Sequence, residues 1–241
     1  MSDGWDSSAQ GWIDAQGEAG DWTRVHVLDR PMLARVDAGR FATALDVGCG
    51  EGRFCRMLRA RGIGAIGIDP TTRLIEEAQR RDLGGDYRIG RAEALPFADG
   101  AFDLVVSYLS LIDIPDLARA IAEMARVLAP GGVLLIANLT SFATASAVPG
   151  VTWARDAAGN RLYFAIDHYL EPRPERVAWG EISIVNHHRP LGIYMSLLLA
   201  QGLRLTQFDE PRAGGADPER AAAYDRVPWA FVMEWRKDGA R

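Results

Sequence analysis

The stretch ALDVGCGEGRF, residues 44–54, decides how the rest of the chain reads. A short apolar run, FATALDVG (41–48), leads into glycines at alternate positions 48, 50 and 52. RFCRMLRARG (53–62) follows, with Phe54 and Leu58 at helical spacing and Gly62 placed to close the helix. This is strand, loop, helix. A glycine-rich turn at that junction lets backbone approach a ligand closely and aims a helix N-terminus at it, which suits an anionic or polar group. Two ligand classes drop out. A P-loop needs Lys and Ser/Thr after its last glycine, whereas Arg53 and Phe54 follow Gly52. A dinucleotide fingerprint needs Gly-x-Gly-x-x-Gly, but counted from Gly48 the third position is Arg53.

Working outward, the alternation continues. IGAIGIDP (63–70) reads as a strand ended by Asp-Pro, TTRLIEEAQRRDLGG (71–85) as a helix with a Thr cap, and DYRIGRAEAL (86–95) starts as a strand. AFDLVVSYLSL (101–111) and VLLIANL (133–139) are apolar runs rich in β-formers, and IPDLARAIAEMARVLAPGG (114–132) between them is an amphipathic helix stopped by Pro-Gly-Gly. Strands apolar along their whole length predict a doubly wound α/β fold, a parallel sheet covered on both faces with right-handed crossovers. Before it, Asp6 to Arg40 carries apolar residues at helical spacing, with Pro31 able to open a new helix. After Thr140 the rhythm breaks: RLYFAIDHYLE (161–171) and VAWGEISIVNHH (177–188), joined through PRPER, read as one inserted hairpin. LGIYMSLLLAQG, LRLTQFDE, DPERAAAYDRV and PWAFVMEWR then return to the sheet. The expected organisation is one domain over 1–241, with a helical preface (1–40), a core (41–140), an insertion (141–190) and a C-terminal part of the sheet (191–241).

With 241 residues, 48% of them hydrophobic, the chain can bury a substantial core. A formal net charge of −5 argues against wrapping nucleic acid or binding anionic lipid and points to a small-molecule partner. The longest apolar runs fall short of the roughly 20 residues that span a bilayer, and the first residues lack a secretory pattern. Cys49 and Cys55, without a second pair or histidines at ligand spacing, suggest neither a metal site nor a disulfide framework. The expectation is a cytoplasmic protein, monomer or homodimer; abundant Ala and Arg hint at a bacterial source.

Several motifs in order resemble the class I S-adenosylmethionine-dependent methyltransferases, in their small-molecule branch. LDVGCGEG (45–52) looks like the first motif, and GIDPT (67–71) puts Asp69 at the end of the second strand. RAEALPFADGAFDLVVSYLSL (91–111) resembles the loop after strand three and all of strand four, and MARVLAPGGVLLIA (124–137) the approach to strand five. The resemblance covers about Thr43 to Leu139. It implies a Rossmann-like seven-stranded sheet with its last strand antiparallel, a helical N-terminal lid, and S-adenosyl-L-methionine as cofactor with S-adenosyl-L-homocysteine as product.

It also implies site residues. Gly48, Cys49 and Gly50 lie against the methionine part, and Arg24 resembles a position that pairs with its carboxylate. Asp69, about twenty residues past the loop, is placed to accept from both ribose hydroxyls. Pro70 and Ile89 are expected to wall the adenine. Many relatives carry Gly-Asp-Ala-Glu after strand three, whereas this chain reads Gly90-Arg91-Ala92-Glu93, so the Ala92 amide and Glu93 would have to recognise the ring. Ser107 and Tyr108 end strand four, near the reacting methyl. Methyl transfer is an in-line displacement that needs alignment, and a base only when the acceptor is protonated. Candidate bases are His168, His187 and His188, with at most one of the last two facing substrate because neighbours on a strand point opposite ways. Trp5, Trp12, Trp153, Tyr163, Phe164, Trp179 and Tyr194 are candidates for an aromatic acceptor surface. The expected reaction is methyl transfer to oxygen or nitrogen of a small molecule; a carbon acceptor of the quinone-biosynthesis type, or a non-catalytic cofactor-binding protein, are the alternatives.

Overall fold

The computed structural model describes residues 3–145, 153–215 and 217–239. Strands β1 (Thr43–Val47), β2 (Gly64–Asp69), β3 (Asp86–Ile89), β4 (Phe102–Tyr108) and β5 (Leu128–Leu139) pair in parallel. With β10 (Arg204–Asp209) and β11 (Ala230–Arg236) they form a seven-stranded sheet in the order β10-β11-β5-β4-β1-β2-β3, in which β11 runs antiparallel to both neighbours. The chain winds outward from β1 toward β3 and, after crossing over, from β4 toward β11. The crevice outside the carboxyl ends of β1 and β4 is therefore the topological switch point, where such sheets bind ligands.

Alternate side chains explain why the strands read as continuous apolar runs. Leu45, Val47, Val105, Leu134 and Ile136 pack in one core with α5 (Leu117–Val127) and α7 (Leu191–Ala200). Ala44, Leu104, Val106, Leu135 and Ala137 pack in the other with α2 (Asp29–Ala38), α3 (Arg53–Arg59) and α4 (Thr72–Arg81). Polar residues on either face of such strands would lose hydration without gaining partners.

The preface lies across the sheet's carboxyl edge. In α1 (Trp5–Gln16), Ala9 and Ile13 pack on Leu74 of α4, and the Ser8 hydroxyl donates to Ser183 O and accepts from Ser183 N–H. A π-helical turn over Arg24–Leu28 precedes α2 and carries Arg24 at its start; such turns displace one side chain from the helical register.

The insertion differs from its sequence reading. There are two hairpins: β6 (Trp153–Arg155) with β7 (Arg161–Phe164), and β8 (Arg173–Trp179) with β9 (Ile182–His188). Most of PRPER is part of β8, and the chain reverses instead at Gly180, where φ is +52°. Pro174 is tolerated because β8 has a partner on one side only in its two-stranded sheet, so its missing N–H costs no ladder bond. Short helices α6 (Ser141–Thr144) and α8 (Pro218–Tyr224) complete the described chain. No helix among the described residues is long and apolar enough to cross a membrane.

Candidate functional site

All three loop glycines are left-handed: φ is +78° at Gly48, +55° at Gly50 and +77° at Gly52. The loop folds back over β2, with the Gly48 and Cys49 amides both donating to Ile68 O at 2.8 and 3.1 Å. At the end of that strand Asp69 Oδ2 accepts from the Gly50 amide at 3.0 Å, and Oδ1 accepts from the Thr71 amide at 2.9 Å. Asp69 thus ties the loop to the start of α4, where the Thr71 side chain makes no cap bond of its own. Burial pushes its carboxyl up to about 6 in spite of both amides.

A cleft of about 730 Å³ opens beside this joint, lined by Gly48, Gly50, Asp69, Pro70, Thr71 and Leu74, by Gly90 to Glu93, and by Asp3, Trp5, Trp12, Arg24, Tyr108 to Ser110 and Asp113 to Pro115. A second cleft of about 370 Å³ shares Trp12, Arg24, Gly48, Gly50 and Tyr108 and extends to Asp46, Cys49, Glu51, Arg53 and Phe54. The lid helix closes over the loop: Trp12 Nε1–H donates to Glu51 Oε2 at 3.1 Å. The Arg24 guanidinium sits 4.8 Å from the Trp12 ring centre and is ion-paired with Asp21.

The residues present fit S-adenosylmethionine. Around Gly50 a side-chain carbon would meet nothing closer than Trp12 Nε1 at 3.8 Å, so the backbone there is bare toward the cleft. Asp46 is 1% exposed and its Oδ1 has no hydrogen-bond partner among the described residues, which suits a cationic amino group beside Arg24. Leu74, Ala92, Ile114 and Pro115 supply apolar surface for a flat ring, and Glu93 stands among them as an acceptor.

Asp46 has a measurable consequence without any ligand. Burial pushes its carboxyl up to about 7, so between the ordinary carboxylate range and pH 7 the native state keeps a proton that the unfolded chain gives up. The contribution of Asp46 to stability must then fall as pH rises from about 4 to 7 and level off above, by an amount on the order of 2–4 kcal/mol. Asp46→Asn should flatten that slope in urea unfolding from pH 4 to 8 and gain about 1–3 kcal/mol at pH 8. A slope equal to that of the wild type would mean that the Asp46 carboxyl ionises as easily folded as unfolded.

The structure brings Arg24, Gly48, Cys49, Gly50, Asp69, Pro70, Arg91, Ala92, Glu93 and Tyr108 to the two clefts. It does not bring the histidines. His168 is exposed, at φ +48°, with Nδ1 3.0 Å from Glu171. His188 is 1% exposed, and its ring nitrogens are taken by Thr144 Oγ1 and Tyr169 O at 2.7 and 2.8 Å. His187 lines neither cleft, although its amide donates to Ile112 O. His168 lies ahead of the second hairpin on an exposed turn, and the register of that hairpin turns His187 and His188 away from both clefts. Ser107 is also corrected: fully buried, its hydroxyl pairs with Ser110 Oγ at 2.6 Å, and Ser110 is the one at the cleft. Ile89 is 58% exposed and walls nothing. The Tyr108 hydroxyl donates to Asp29 Oδ1 at 2.8 Å, and burial beside that carboxylate raises its pKa, so it is no base. Of the aromatics, Trp5 and Trp12 reach the cleft, Tyr194 is core, and Tyr163 and Trp179 are exposed.

Sequence reasoning missed Asp3, Asp46, Ser110 and Asp113. The rule that ligands lie outside the carboxyl ends of strands could have found Asp113, five positions past the end of β4. Leu109, at φ +58°, is a left-handed residue without a glycine's freedom and turns the chain sharply into this loop.

Residues 45–136 match the methyltransferase domain family. The chain is similar to malonyl-(acyl-carrier protein) O-methyltransferases: 37% identical over 110 residues to that of Enterobacter lignolyticus, covering 46% of this chain and 44% of the relative. For that of Salmonella typhimurium the identity is 32% over 146 residues, covering 58% and 57%. The chain thus spans about half the length of the curated relatives it matches. In structure it is similar to an S-adenosylmethionine-dependent methyltransferase from Mesorhizobium loti, with 27% identity and a TM-score of 0.76, covering 86% of this chain and 96% of that one. By its matched domain over residues 45–136 and by its fold, the chain is similar to class I S-adenosylmethionine-dependent methyltransferases.

Proposed function

We propose that this protein transfers a methyl group from S-adenosylmethionine to an oxygen or nitrogen atom of a small acceptor, presented free or, as the names of its relatives suggest, on a carrier. The observation that carries this reading is the joint between the Gly50 amide and Asp69 at the sheet's switch point. When bound, the cofactor supplies a methyl carbon on a cationic sulfur that a lone pair can displace in line.

The chain's own residues do the rest. Gly48 and Gly50 leave room for the methionine part, Arg24 and Asp46 offer opposite charges to its carboxylate and amino groups, and Asp69 holds the ribose. Trp5 and Trp12 on the lid helix cover the cleft and exclude water, which makes the site's charges act more strongly. Positioning of the acceptor opposite the methyl is left to the loop from Tyr108 to Pro115, which lines the same cleft.

Calorimetric titration with S-adenosylmethionine and S-adenosylhomocysteine tests this. Micromolar binding of both is expected, as in enzymes whose product leaves the same cradle. A folded protein that binds neither would overturn the reading.

A further inference from the structure

We propose that Asp113 is the carboxylate that takes up the acceptor's proton, so that the acceptor enters as a hydroxyl or an ammonium group and not as a carboxylate; this rests on the methyltransferase reading above. Asp113 lies in the loop after β4, half-buried, and lines the cleft that also holds Gly48, Gly50 and Asp69. Its Oδ1 accepts from Asn186 Nδ2–H at 2.6 Å, and no described residue bonds Oδ2. The loop around it is braced from behind. Arg189, 8% exposed, donates to the carbonyls of Leu111, Ile114 and Pro115. The carboxylate is therefore held in place from both sides with one oxygen to spare.

The other polar groups that line this cleft each have a contact of their own. Asp69 holds two amides, Glu93 lies beside Arg91, Asp3 Oδ1 accepts from the Trp5 amide, and the Tyr108 hydroxyl is bound to Asp29. The charged groups facing Asp113 are Asp69, Asp3 and Arg24, and burial among them pushes its carboxyl up to about 8. A proton acceptor works best when its pKa lies near the working pH. The cations tell the same story from the other side. Arg24 is paired with Asp21, Arg91 with Glu93, and Arg53 with Asp29, while Arg189 is spent on carbonyls. Above about pH 8, where Asp113 is ionised, an acceptor carboxylate beside Asp113 and Asp3 would meet two like charges with no free guanidinium to offset them. A donor group would meet an open carboxylate oxygen.

In the transfer, an ammonium acceptor first gives a proton to the ionised Asp113, and a hydroxyl gives its proton as the bond forms; the lone pair so exposed forms the new bond to the methyl carbon as the carbon–sulfur bond breaks and its electron pair stays on sulfur. The acceptor's proton passes to Asp113 Oδ2, and from there to solvent when product leaves. Charge is balanced throughout, and no further reactant is needed.

The test uses protein saturated with S-adenosylhomocysteine, held about one pH unit above the Asp113 value of about 8 so that its carboxyl is ionised, and three probes of similar size: benzylamine, benzyl alcohol and phenylacetate. Benzylamine or benzyl alcohol should bind at least about tenfold more tightly than phenylacetate, the difference expected of one charge-assisted hydrogen bond. Which of the two leads distinguishes an amine from a hydroxyl acceptor. Asp113→Asn, whose amide oxygen can still accept from Asn186, should erase that preference while S-adenosylhomocysteine affinity stays within about twofold. Benzylamine binding should strengthen as pH rises through about 8 in the wild type only. Equal or tighter phenylacetate binding, a preference that survives Asp113→Asn, or no binding of any probe at its solubility limit would each overturn the proposal. Failure to bind S-adenosylhomocysteine at all would instead sink the methyltransferase reading.

Discussion

Asp69→Ala should lose at least about a hundredfold in affinity for S-adenosylhomocysteine while keeping most of its stability. Two hydrogen bonds from ribose hydroxyls to a buried carboxylate are worth about 1.5–3 kcal/mol each, and 1.4 kcal/mol is a factor of ten. The fold survives because two effects oppose one another. Removing the carboxylate strands the Gly50 and Thr71 amides, 3.0 and 2.9 Å from it, but also removes an acid that burial disfavours. The net loss should be no more than about 1–3 kcal/mol. Asp69→Asn, with one acceptor oxygen, should fall between wild type and Ala. The pH dependence separates a ribose role from a purely structural one. With its carboxyl at about 6 in the free protein, Asp69 must shed a proton to serve both hydroxyls, so affinity should fall toward tenfold per pH unit below 6. That slope should vanish in Asp69→Asn. Calorimetry at pH 5, 6 and 7 reads both effects, and undiminished affinity in Asp69→Ala would end the ribose assignment.

Much of this site was legible because its constraints are local. Gly48, Gly50 and Gly52 must be glycine where φ is positive and backbone must come close, so their spacing survives in the sequence. Asp69 ends an apolar strand, where a carboxylate stands out. The alternation of apolar runs marks the parallel sheet for a similar reason, since a strand buried on both faces admits few polar residues. What was illegible depends on register and on distant partners. Pro174 looked like a link and is part of a strand, because nothing in its neighbours says which side of β8 is unpaired. His188 looked like a base and is a buried brace, since only the fold brings Thr144 and Tyr169 to its ring. Asp113 has no distinguishing neighbours in the sequence; its value comes from Asn186, 73 residues away, which holds it at the cleft.

The glycine loop allows the second large prediction, because neighbouring glycines should fail in opposite ways. At Gly48 an added Cβ would lie 2.4 Å from Ser110 Cβ and 2.9 Å from its hydroxyl. Ser110 cannot swing aside cheaply, for its hydroxyl is held by Val47 O and Ser107 Oγ, both at 2.6 Å. Left-handed strain of about 1–2 kcal/mol adds to overpacking of about 1–3 kcal/mol. Gly48→Ala should therefore lose about 2–5 kcal/mol of stability in urea unfolding, and cofactor binding with it as the loop shifts. At Gly50 the added carbon meets only Trp12 Nε1 at 3.8 Å. Gly50→Ala bears the backbone strain alone, about 1–2 kcal/mol, and projects a methyl into the space assigned to the methionine part. Its stability should fall by only that strain and its S-adenosylhomocysteine affinity by tenfold or more, since one misplaced methyl costs about 1–3 kcal/mol in a close-packed site. If Gly50→Ala bound as well as wild type, that space would belong to solvent. The methionine part would then be held by Asp46 and Arg24 without contact to the Gly50 backbone, and Asp46→Asn, expected to weaken binding in either case, would cause the larger loss.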